Sequence, residues 1–300
     1  MAQAAGHHVI AVDFLHPIRH RDVVSVQADL TLPGAALQIF AVHRPRWAVH
    51  CAAAVEVDAC EADPETAYRL NRDMAGHVAM AARAVGARLV HISTDAVFDG
   101  ERGGYAEEDE PRPVSVYGSS KLDGERVVLS ECPVALVVRT NIFGWNARPK
   151  LSLSEWFLER LRWGERCTGF TDVSFSPIAV TDLSRLLLEL LPIPVSGVLH
   201  VAGGETVSKY EFGLRIAEAF QLSPAAIVPG SVDAMQPRAR RARRLGLDVR
   251  KAEALLGAPM PALGPMLRRW RREEADGTLN RLRSLVARPV DTILAQEGAR

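Results

Sequence analysis

The sequence has little that would indicate a membrane protein or a nucleic-acid-binding protein. Lysine plus arginine number 36 and aspartate plus glutamate also number 36 among 300 residues, so the formal net charge is +0. A balanced charge gives no general argument for nucleic acid or an acidic membrane as a partner. We find no apolar run long enough to cross a bilayer, no signal-peptide pattern and no repeat period.

Cysteine is also scarce. The four cysteines form no Cys-x-x-Cys pair and have no histidine at metal-ligand spacing. They are Cys51, Cys60, Cys132 and Cys167. This pattern argues against a disulfide framework and gives no reason to expect a metal site. We therefore expect reduced thiols and a cytoplasmic location. The hydrophobic fraction of 48% is enough for a large core in one or two domains.

Short apolar segments alternate with helical patterns in the first half of the chain. Buried strands are predicted at residues 9–12, 23–26, 47–51, 89–92 and 135–139, and a returning strand at 198–201. A helix is predicted from the cap residue Asp63, with Pro64 behind it, to a stop at Gly86. Alternation of helices with continuous apolar strands predicts an α/β fold, with a parallel sheet covered on both faces.

The most informative segment runs from Ser93 to Lys121. A hydroxyl residue, Ser93 or Thr94, ends an apolar strand, and Tyr117 and Lys121 follow four positions apart. Residues four apart share one helix face, so the phenol and the ammonium are predicted to meet. A phenol has a pKa of about 10, and a nearby ammonium lowers it toward neutrality. These groups predict proton delivery to a carbonyl while hydride arrives from a nicotinamide.

The same segment resembles the extended short-chain dehydrogenase/reductases, and more narrowly the dTDP-4-dehydrorhamnose reductase group. The matching stretches are ISTDAVFDG at 92–100, YAEEDEP at 105–111 and VYGSSKL at 116–122. The resemblance runs from about Val9 to about Gly257. It implies a Rossmann-type doubly wound parallel sheet with a small, mainly helical substrate-binding lobe. It also implies catalytic roles for Thr94, Tyr117 and Lys121, with Ser93 assisting Thr94.

The resemblance implies NADPH or NADH as cofactor, bound across the carboxyl ends of the strands. An acid at Asp13 would bind the adenosine ribose and favour NAD over NADP, while a loop aspartate that caps a turn is an equal alternative. The positions that match the family's cofactor contacts are Asp13, Asp29, Leu30, Ala52, Ala53, Asn71, Tyr117 and Lys121.

The largest departure from the family is a missing Gly-x-x-Gly-x-x-Gly turn. The resemblance implies this turn before Asp13, between a first strand and a first helix, and residues 1–8 resemble only the end of that helix. The absent strand would lie between the strands that end at Asp13 and at Cys51, whose backbone groups would lack ladder partners. Two explanations stay open: the reading frame starts too late, or the chain is a cofactor-poor relative. The intact catalytic trio favours the first.

We expect three regions: a nucleotide-binding domain at 1–145 without its first strand, a substrate lobe at 146–264, and a tail at 265–300 with short surface helices. By resemblance, substrate contacts are expected at Asp95, Asn141, Trp145, Arg238 and Arg240. Five arginines at 238–244 form the one strong charge cluster. One or two of them are expected to bind a sugar-nucleotide diphosphate, because guanidinium pairs with phosphate. The others are expected to face solvent.

The predicted activity is NAD(P)H-dependent reduction of the 4-keto group of a nucleotide-linked sugar. One alternative is an epimerase or dehydratase of the same superfamily, for which Asp95 would supply an extra acid. The other alternative is a non-catalytic binding subunit. The expected partner is the nucleotide sugar, without nucleic acid or membrane, and a homodimer is compatible with the resemblance.

Overall fold

A computed structural model describes residues 1–148, 150–234 and 239–286, so the predicted substrate contact Arg238 lies outside the described residues. The strands, β1 to β13 in chain order, are Val9–Asp13, Val23–Gln27, Trp47–His50, Arg88–Thr94, Leu136–Thr140, Ile142–Phe143, Cys167–Phe170, Ser174–Phe175, Ile178–Ala179, Gly197–His200, Val207–Ser208, Ile227–Gly230 and Arg244–Leu245. The helices, α1 to α11, are Ala35–His43, Val57–Ala62, Pro64–Tyr68, Met74–Val85, Val116–Glu131, Leu153–Trp163, Val180–Leu190, Lys209–Phe220, Arg250–Leu256, Leu263–Ala275 and Thr278–Ser284.

The main sheet consists of four parallel strands in the order β10-β5-β4-β3. In the centre of the sheet, Val90 of β4 lies opposite Leu136 of β5. β10 returns from the second half of the chain and pairs with β5, Gly197 lying opposite the same Leu136. The predicted α/β class, the parallel sheet and the returning strand are therefore confirmed.

β1 and β2 form a separate parallel pair, in which Val9 lies opposite Val23. Within the described ranges, neither strand pairs with the four-stranded sheet, and β3 pairs only with β4. The break between β1 and β3 falls where the sequence predicted an absent strand. One edge of β1 and one edge of β3 therefore have no hydrogen-bonded neighbouring strand in the described part of the chain.

The helical stretch before β4 has the predicted start and stop. The Asp63 Oδ1 accepts the backbone N–H of Thr66 at 3.1 Å, and Pro64 is the first helical residue. A π-helical turn at Arg69–Asp73, which the sequence did not predict, joins α3 to α4. α4 ends at Gly86, whose φ of 71° is left-handed backbone that glycine adopts without strain.

Apolar clusters cover both faces of the main sheet. Leu89 and Val137 belong to a smaller cluster with Ala79 of α4, whereas Val90 and Val138 belong to a larger one. Neighbouring strand residues fall in different clusters because side chains alternate between the two faces of a sheet. The larger cluster contains residues from all three predicted regions, so the boundaries at 145 and 264 stay predictions.

The helix α10 differs from the surface helix that the sequence analysis expected in the tail. Leu263, Met266, Leu267 and Trp270 are buried in the larger cluster, at the spacing of three and four that places residues on one helix face. Arg268, Arg269, Arg271 and Arg272 alternate with these apolar residues, so the helix has a buried apolar face and a basic face. None of the described helices is long and apolar enough to cross a membrane.

Candidate active site

The carboxyl end of β4 and the start of α5 line one cavity of about 730 Å³. Thr94 is the last residue of β4, and Tyr117 and Lys121 lie one turn apart on α5. α5 begins at its cap residue Ser115, whose Oγ accepts the backbone N–H of Gly118 at 3.2 Å. The structure therefore brings the three predicted catalytic side chains into the same cavity.

Two glycines allow α5 to pass close to the loop after β4 and to the π-helical turn. A Cβ atom at Gly118 would lie 2.3 Å from the carbonyl oxygen of Ala96. A Cβ atom at Gly124 would lie 2.2 Å from the carbonyl oxygen of Asn71. Both distances are far below any normal contact, so these positions need glycine for the close approach of the backbones.

The pKa of Tyr117 moves in the direction opposite to the predicted one. Burial in the cavity raises the pKa of Tyr117 to about 12, although a hydrogen bond with Thr94 opposes the shift. The prediction assumed that the Lys121 ammonium faces the phenol. The ammonium instead donates to the carbonyl oxygen of Ile92 at 2.7 Å. The phenol is therefore protonated at neutral pH and acts as a donor.

Lys121 is almost fully buried, with 3% of its surface exposed. Burial lowers the pKa of Lys121 to about 8, and the carboxylate of Glu125, one helical turn further on, opposes the shift. The ammonium therefore carries its charge at neutral pH and loses it only slightly above.

This shift predicts how stability depends on pH. The folded-state pKa is about 8 and the ordinary value is 10.5, so the unfolded state binds more protons between these values. Stability therefore rises with pH across that window. In urea unfolding, we expect the free energy of unfolding of the wild type to rise by about 1–2 kcal/mol relative to that of Lys121→Met as the pH increases from roughly 7.5 to 9.5. A difference between the two proteins that stays constant with pH would contradict the shift.

Asp95 lies directly beside Thr94 and is 2% exposed. Its Oδ1 accepts the Thr94 hydroxyl at 3.1 Å, and its Oδ2 accepts Nδ2 of Asn141 at 2.6 Å. Burial raises the pKa of Asp95 to about 6, and these two hydrogen bonds oppose the shift. Asp95 and Asn141, both predicted substrate contacts, therefore line the cavity next to the trio.

Ser93 also lines the cavity, but the partner of its hydroxyl lies outside the trio. The hydroxyl donates to Oε1 of Glu125 on α5. Glu125 also accepts Nε of Arg139 at 3.0 Å and Nη2 of Arg139 at 2.7 Å, and both side chains are buried. The Ser93 proton is thus donated to a buried carboxylate in this structure, and the assistance of Ser93 at the carbonyl stays a prediction.

Asn71 anchors the loop after β3. Its Oδ1 accepts the backbone N–H of Ala54 at 2.8 Å, and its Nδ2 donates to the Ala54 carbonyl and to Ser120 Oγ, both at 3.0 Å. Asn71 is 1% exposed, and these contacts fix the loop against α5. Ala53 lines the cavity, whereas Ala52 before it is exposed. Asn71 therefore positions the small pair that was predicted to lie beside the cofactor.

The aspartates predicted to bind adenosine form turns in this structure. The Asp13 Oδ1 accepts the backbone N–H groups of the second and third residues after it, at 2.8 and 2.6 Å. The hydroxyl and the backbone N–H of Thr31 bind Asp29 and hold the pKa of that carboxyl below its usual range. Leu30 packs against the smaller apolar cluster. The geometry thus corresponds to the turn-capping alternative for Asp13.

Trp145 lies in the apolar core and not in the cavity. Its Nε1 donates to the carbonyl oxygen of Trp270 at 3.1 Å, and the two ring centroids are 4.6 Å apart. The predicted substrate contact is thus a packing residue. The partner could not be foreseen, because α10 was expected at the surface.

The arginine segment contains paired and unpaired side chains. The carboxylate pairs are Arg241 with Asp58 at 2.8 Å, and Arg243 with Asp172 at 3.3 Å. Among the described residues, Arg240 and Arg244 have no such pair. Arg240 lines both the catalytic cavity and an adjoining cleft of about 970 Å³, and Arg244 lines the cleft. These two guanidinium groups are therefore available to a ligand.

One charged residue of the cavity was not predicted from the sequence. Lys209 is the first residue of α8 and lines the cavity, with its Nζ 5.9 Å from the ring centroid of Phe170. The helix cap Ser208 marks the start of α8 in the sequence. No local pattern, however, shows that this start lies opposite the end of β4.

The described residues fit one half of a dinucleotide site. Ala53, Tyr117 and Lys121 line the cavity where a nicotinamide and its ribose would lie. In the described part of the chain, no glycine-rich turn joins a strand end to a helix N-terminus, which is the arrangement that holds a pyrophosphate. The nicotinamide end is therefore present, and the pyrophosphate end is not found in these residues.

The sheet and the cavity define a Rossmann-type α/β protein with threonine, tyrosine and lysine side chains at the carboxyl end of a central strand. The family model described as RmlD substrate binding domain matches residues 2–274, and the chain belongs to this family.

Individual relatives agree with that assignment. The chain is 37% identical over 216 residues to dTDP-4-dehydrorhamnose reductase of Mycobacterium tuberculosis, covering 70% of each protein. It is 34% identical over 262 residues to methionine adenosyltransferase 2 subunit beta of Pongo abelii, covering 82% of this chain and 78% of the relative. The crystal structure of dTDP-4-dehydrorhamnose reductase from Bacillus anthracis in complex with NADP is similar, with a TM-score of 0.78 and 29% identity. That match covers 84% of this chain and 90% of the other. The predicted resemblance is confirmed.

Proposed function

We propose that this protein reduces the 4-keto group of a nucleotide-linked sugar, with NADPH or NADH as the hydride donor. The observation that carries the proposal is the convergence of Thr94, Tyr117 and Lys121 in one cavity. Arg240, which has no carboxylate partner among the described residues, lines the same cavity. Similarity to dTDP-4-dehydrorhamnose reductases, one of them in complex with NADP, supports this class of substrate and cofactor.

Tyr117 is the proton donor in the proposed reaction. Its pKa of about 12 keeps the phenol protonated at neutral pH, and it is hydrogen-bonded to Thr94. A substrate carbonyl oxygen beside Thr94 would therefore lie within reach of the phenol, and the Thr94 hydroxyl would turn from Asp95 to donate to that oxygen. The carbonyl oxygen becomes a strongly basic alkoxide during reduction, so proton transfer from the phenol becomes favourable.

Lys121 is proposed to bind the cofactor and not the phenol, because its ammonium donates to a backbone carbonyl oxygen instead of facing Tyr117. Its buried ammonium is held by the carbonyl oxygen of Ile92 on the strand that carries Thr94. A nicotinamide cofactor, when bound, supplies the hydride. Lys121 and Ala53 are the proposed contacts at its ribose end.

Arg240 and Arg244 are the proposed contacts to the diphosphate of the substrate. Both lack a carboxylate partner within the described ranges, and the cleft that they line adjoins the catalytic cavity. A guanidinium group binds phosphate oxygens in a bidentate way. A nucleotide sugar with its carbonyl at Thr94 would therefore extend its diphosphate toward these two side chains.

A non-catalytic subunit is the second candidate. The similarity to a methionine adenosyltransferase subunit favours it. In that case the cavity would bind a nucleotide without turnover. Dehydration is a third candidate, which the position of Asp95 favours: this buried acid lies beside Thr94, and its pKa of about 6 is high for a carboxyl.

The test follows NADPH and NADH oxidation with dTDP-4-dehydrorhamnose as substrate. The protein is expressed with its natural upstream DNA, so that translation starts where the cell starts it. We expect substrate-dependent oxidation of the cofactor and a dTDP-rhamnose product. Nucleotide binding without oxidation would favour the subunit, and loss of water from a dTDP-hexose would favour dehydration. The cytoplasmic location and the homodimer stay predictions.

A further inference from the structure

The catalytic cavity contains a positive charge that the proposed reaction does not use. Lys209 begins α8, and its backbone N–H donates to the carbonyl oxygen of Val173 at 2.8 Å. Its side chain lines the cavity together with Asp95 and Phe170. A cation in the first turn opposes the dipole of its own helix, so helix stability gives no reason for a lysine here.

The ammonium of Lys209 has no hydrogen bond or ion pair in the described part of the chain. Its Nζ lies 5.9 Å from the Phe170 ring centroid, close to the outer limit of a cation–π contact. Burial lowers the pKa of Lys209, the charge of Arg241 adds to the shift, and the carboxylate of Asp95 opposes it. Lys209 and Asp95 line the same cavity, and no hydrogen bond or ion pair joins their side chains in the described part of the chain.

We propose that Lys209 and Asp95 bind one hydroxyl group of the substrate sugar between them. A hydroxyl accepts a hydrogen bond from the ammonium and donates one to the carboxylate, so it satisfies both groups at once. Each Asp95 oxygen already accepts one hydrogen bond and keeps a lone pair for a further donor. This inference rests on the proposed function.

The position of Asp95 indicates which hydroxyl is bound. Asp95 touches Thr94, which holds the reacting carbonyl in the proposed reaction. The bound hydroxyl therefore lies on the ring carbon next to that carbonyl. An anionic sugar substituent is disfavoured because it would face the carboxylate of Asp95. The substrate class is thus a keto sugar that keeps a free hydroxyl beside its carbonyl.

The test compares two probes, dTDP and dTDP-L-rhamnose, by titration calorimetry on the wild type, Lys209→Met and Lys251→Met. Loss of one hydrogen bond to a charged group lowers affinity by about 10- to 100-fold. We expect Lys209→Met to weaken the binding of dTDP-L-rhamnose by about that factor and to leave the affinity for dTDP unchanged. Lys251 donates to the carbonyl oxygen of Val198 at 3.1 Å and does not line the cavity. Lys251→Met is therefore expected to leave both affinities unchanged.

A second measurement avoids the variant altogether. A dTDP sugar without the hydroxyl next to carbon 4 should bind the wild type more weakly by a similar factor. Equal losses of affinity for dTDP and dTDP-L-rhamnose in Lys209→Met would place Lys209 at the diphosphate and overturn the inference. Wild-type affinity that is unchanged for the deoxy sugar would also overturn it. A wild type that binds neither probe would overturn the proposed function, and the inference with it.

Discussion

Tyr117→Phe is expected to lower kcat for nucleotide-sugar reduction by roughly a thousandfold, while the protein stays folded. The variant removes one hydroxyl and keeps the ring. Neighbouring groups do not replace the lost donor, because the Thr94 hydroxyl is bonded to Asp95 and the Lys121 ammonium to the carbonyl oxygen of Ile92. The measurement is kcat and KM at neutral pH, with thermal unfolding as a check on folding.

The matched control for this substitution is Tyr68→Phe on α3. The Tyr68 ring faces the guanidinium of Arg72 at 5.3 Å, and the residue does not line the catalytic cavity. We expect this variant to keep wild-type kcat. Retention of more than about one tenth of kcat in Tyr117→Phe would mean that another group delivers the proton, because general acid catalysis typically contributes at least about a hundredfold.

Arg139→Leu is expected to lower the free energy of unfolding by about 3–5 kcal/mol. Arg139 on β5 and Glu125 on α5 form a buried ion pair, and their side chains are 4% and 3% exposed. Removal of the arginine leaves the Glu125 carboxylate buried, with the Ser93 hydroxyl as its one remaining hydrogen-bond donor among the described residues. Urea unfolding measures the loss.

The double variant Glu125→Leu with Arg139→Leu distinguishes charge burial from loss of packing. Because it removes both charges, we expect it to be more stable than Arg139→Leu alone. The control Arg126→Leu breaks a solvent-accessible pair with Asp123 on α5 and should cost less than about 0.5 kcal/mol. A cost below about 1 kcal/mol for Arg139→Leu, or a double variant less stable than the single one, would contradict the importance assigned to this pair.

The parts of the site that depend on local periodicity were predictable from the sequence. Thr94 ends an apolar strand, and Tyr117 and Lys121 are one helical turn apart, so strand and helix geometry alone bring them to one edge of the sheet. The interruption beside β1 followed from the family resemblance, which implies an absent strand between the strands that end at Asp13 and at Cys51.

The parts that depend on tertiary contacts were not predictable. Lys121 was expected to face the phenol, and only the folded structure shows that the carbonyl oxygen of Ile92 competes for its ammonium. Arg241 of the arginine cluster forms an ion pair with Asp58, which is 183 positions away in the sequence. Trp145 packs on Trp270, which is 125 positions away. A sequence pattern carries no information on partners at such separations.

Transfer of deuterium to the sugar is the most direct measurement of the proposed reduction. The protein, translated from its natural start, is incubated with dTDP-4-dehydrorhamnose and NADPH or NADH that is doubly deuterated at carbon 4 of the nicotinamide. We predict one deuterium on carbon 4 of the rhamnose product by mass spectrometry and NMR, and roughly a thousandfold slower formation of the same labelled product with Tyr117→Phe. Unlabelled rhamnose, or no product from either cofactor, would contradict a nicotinamide-dependent sugar reductase.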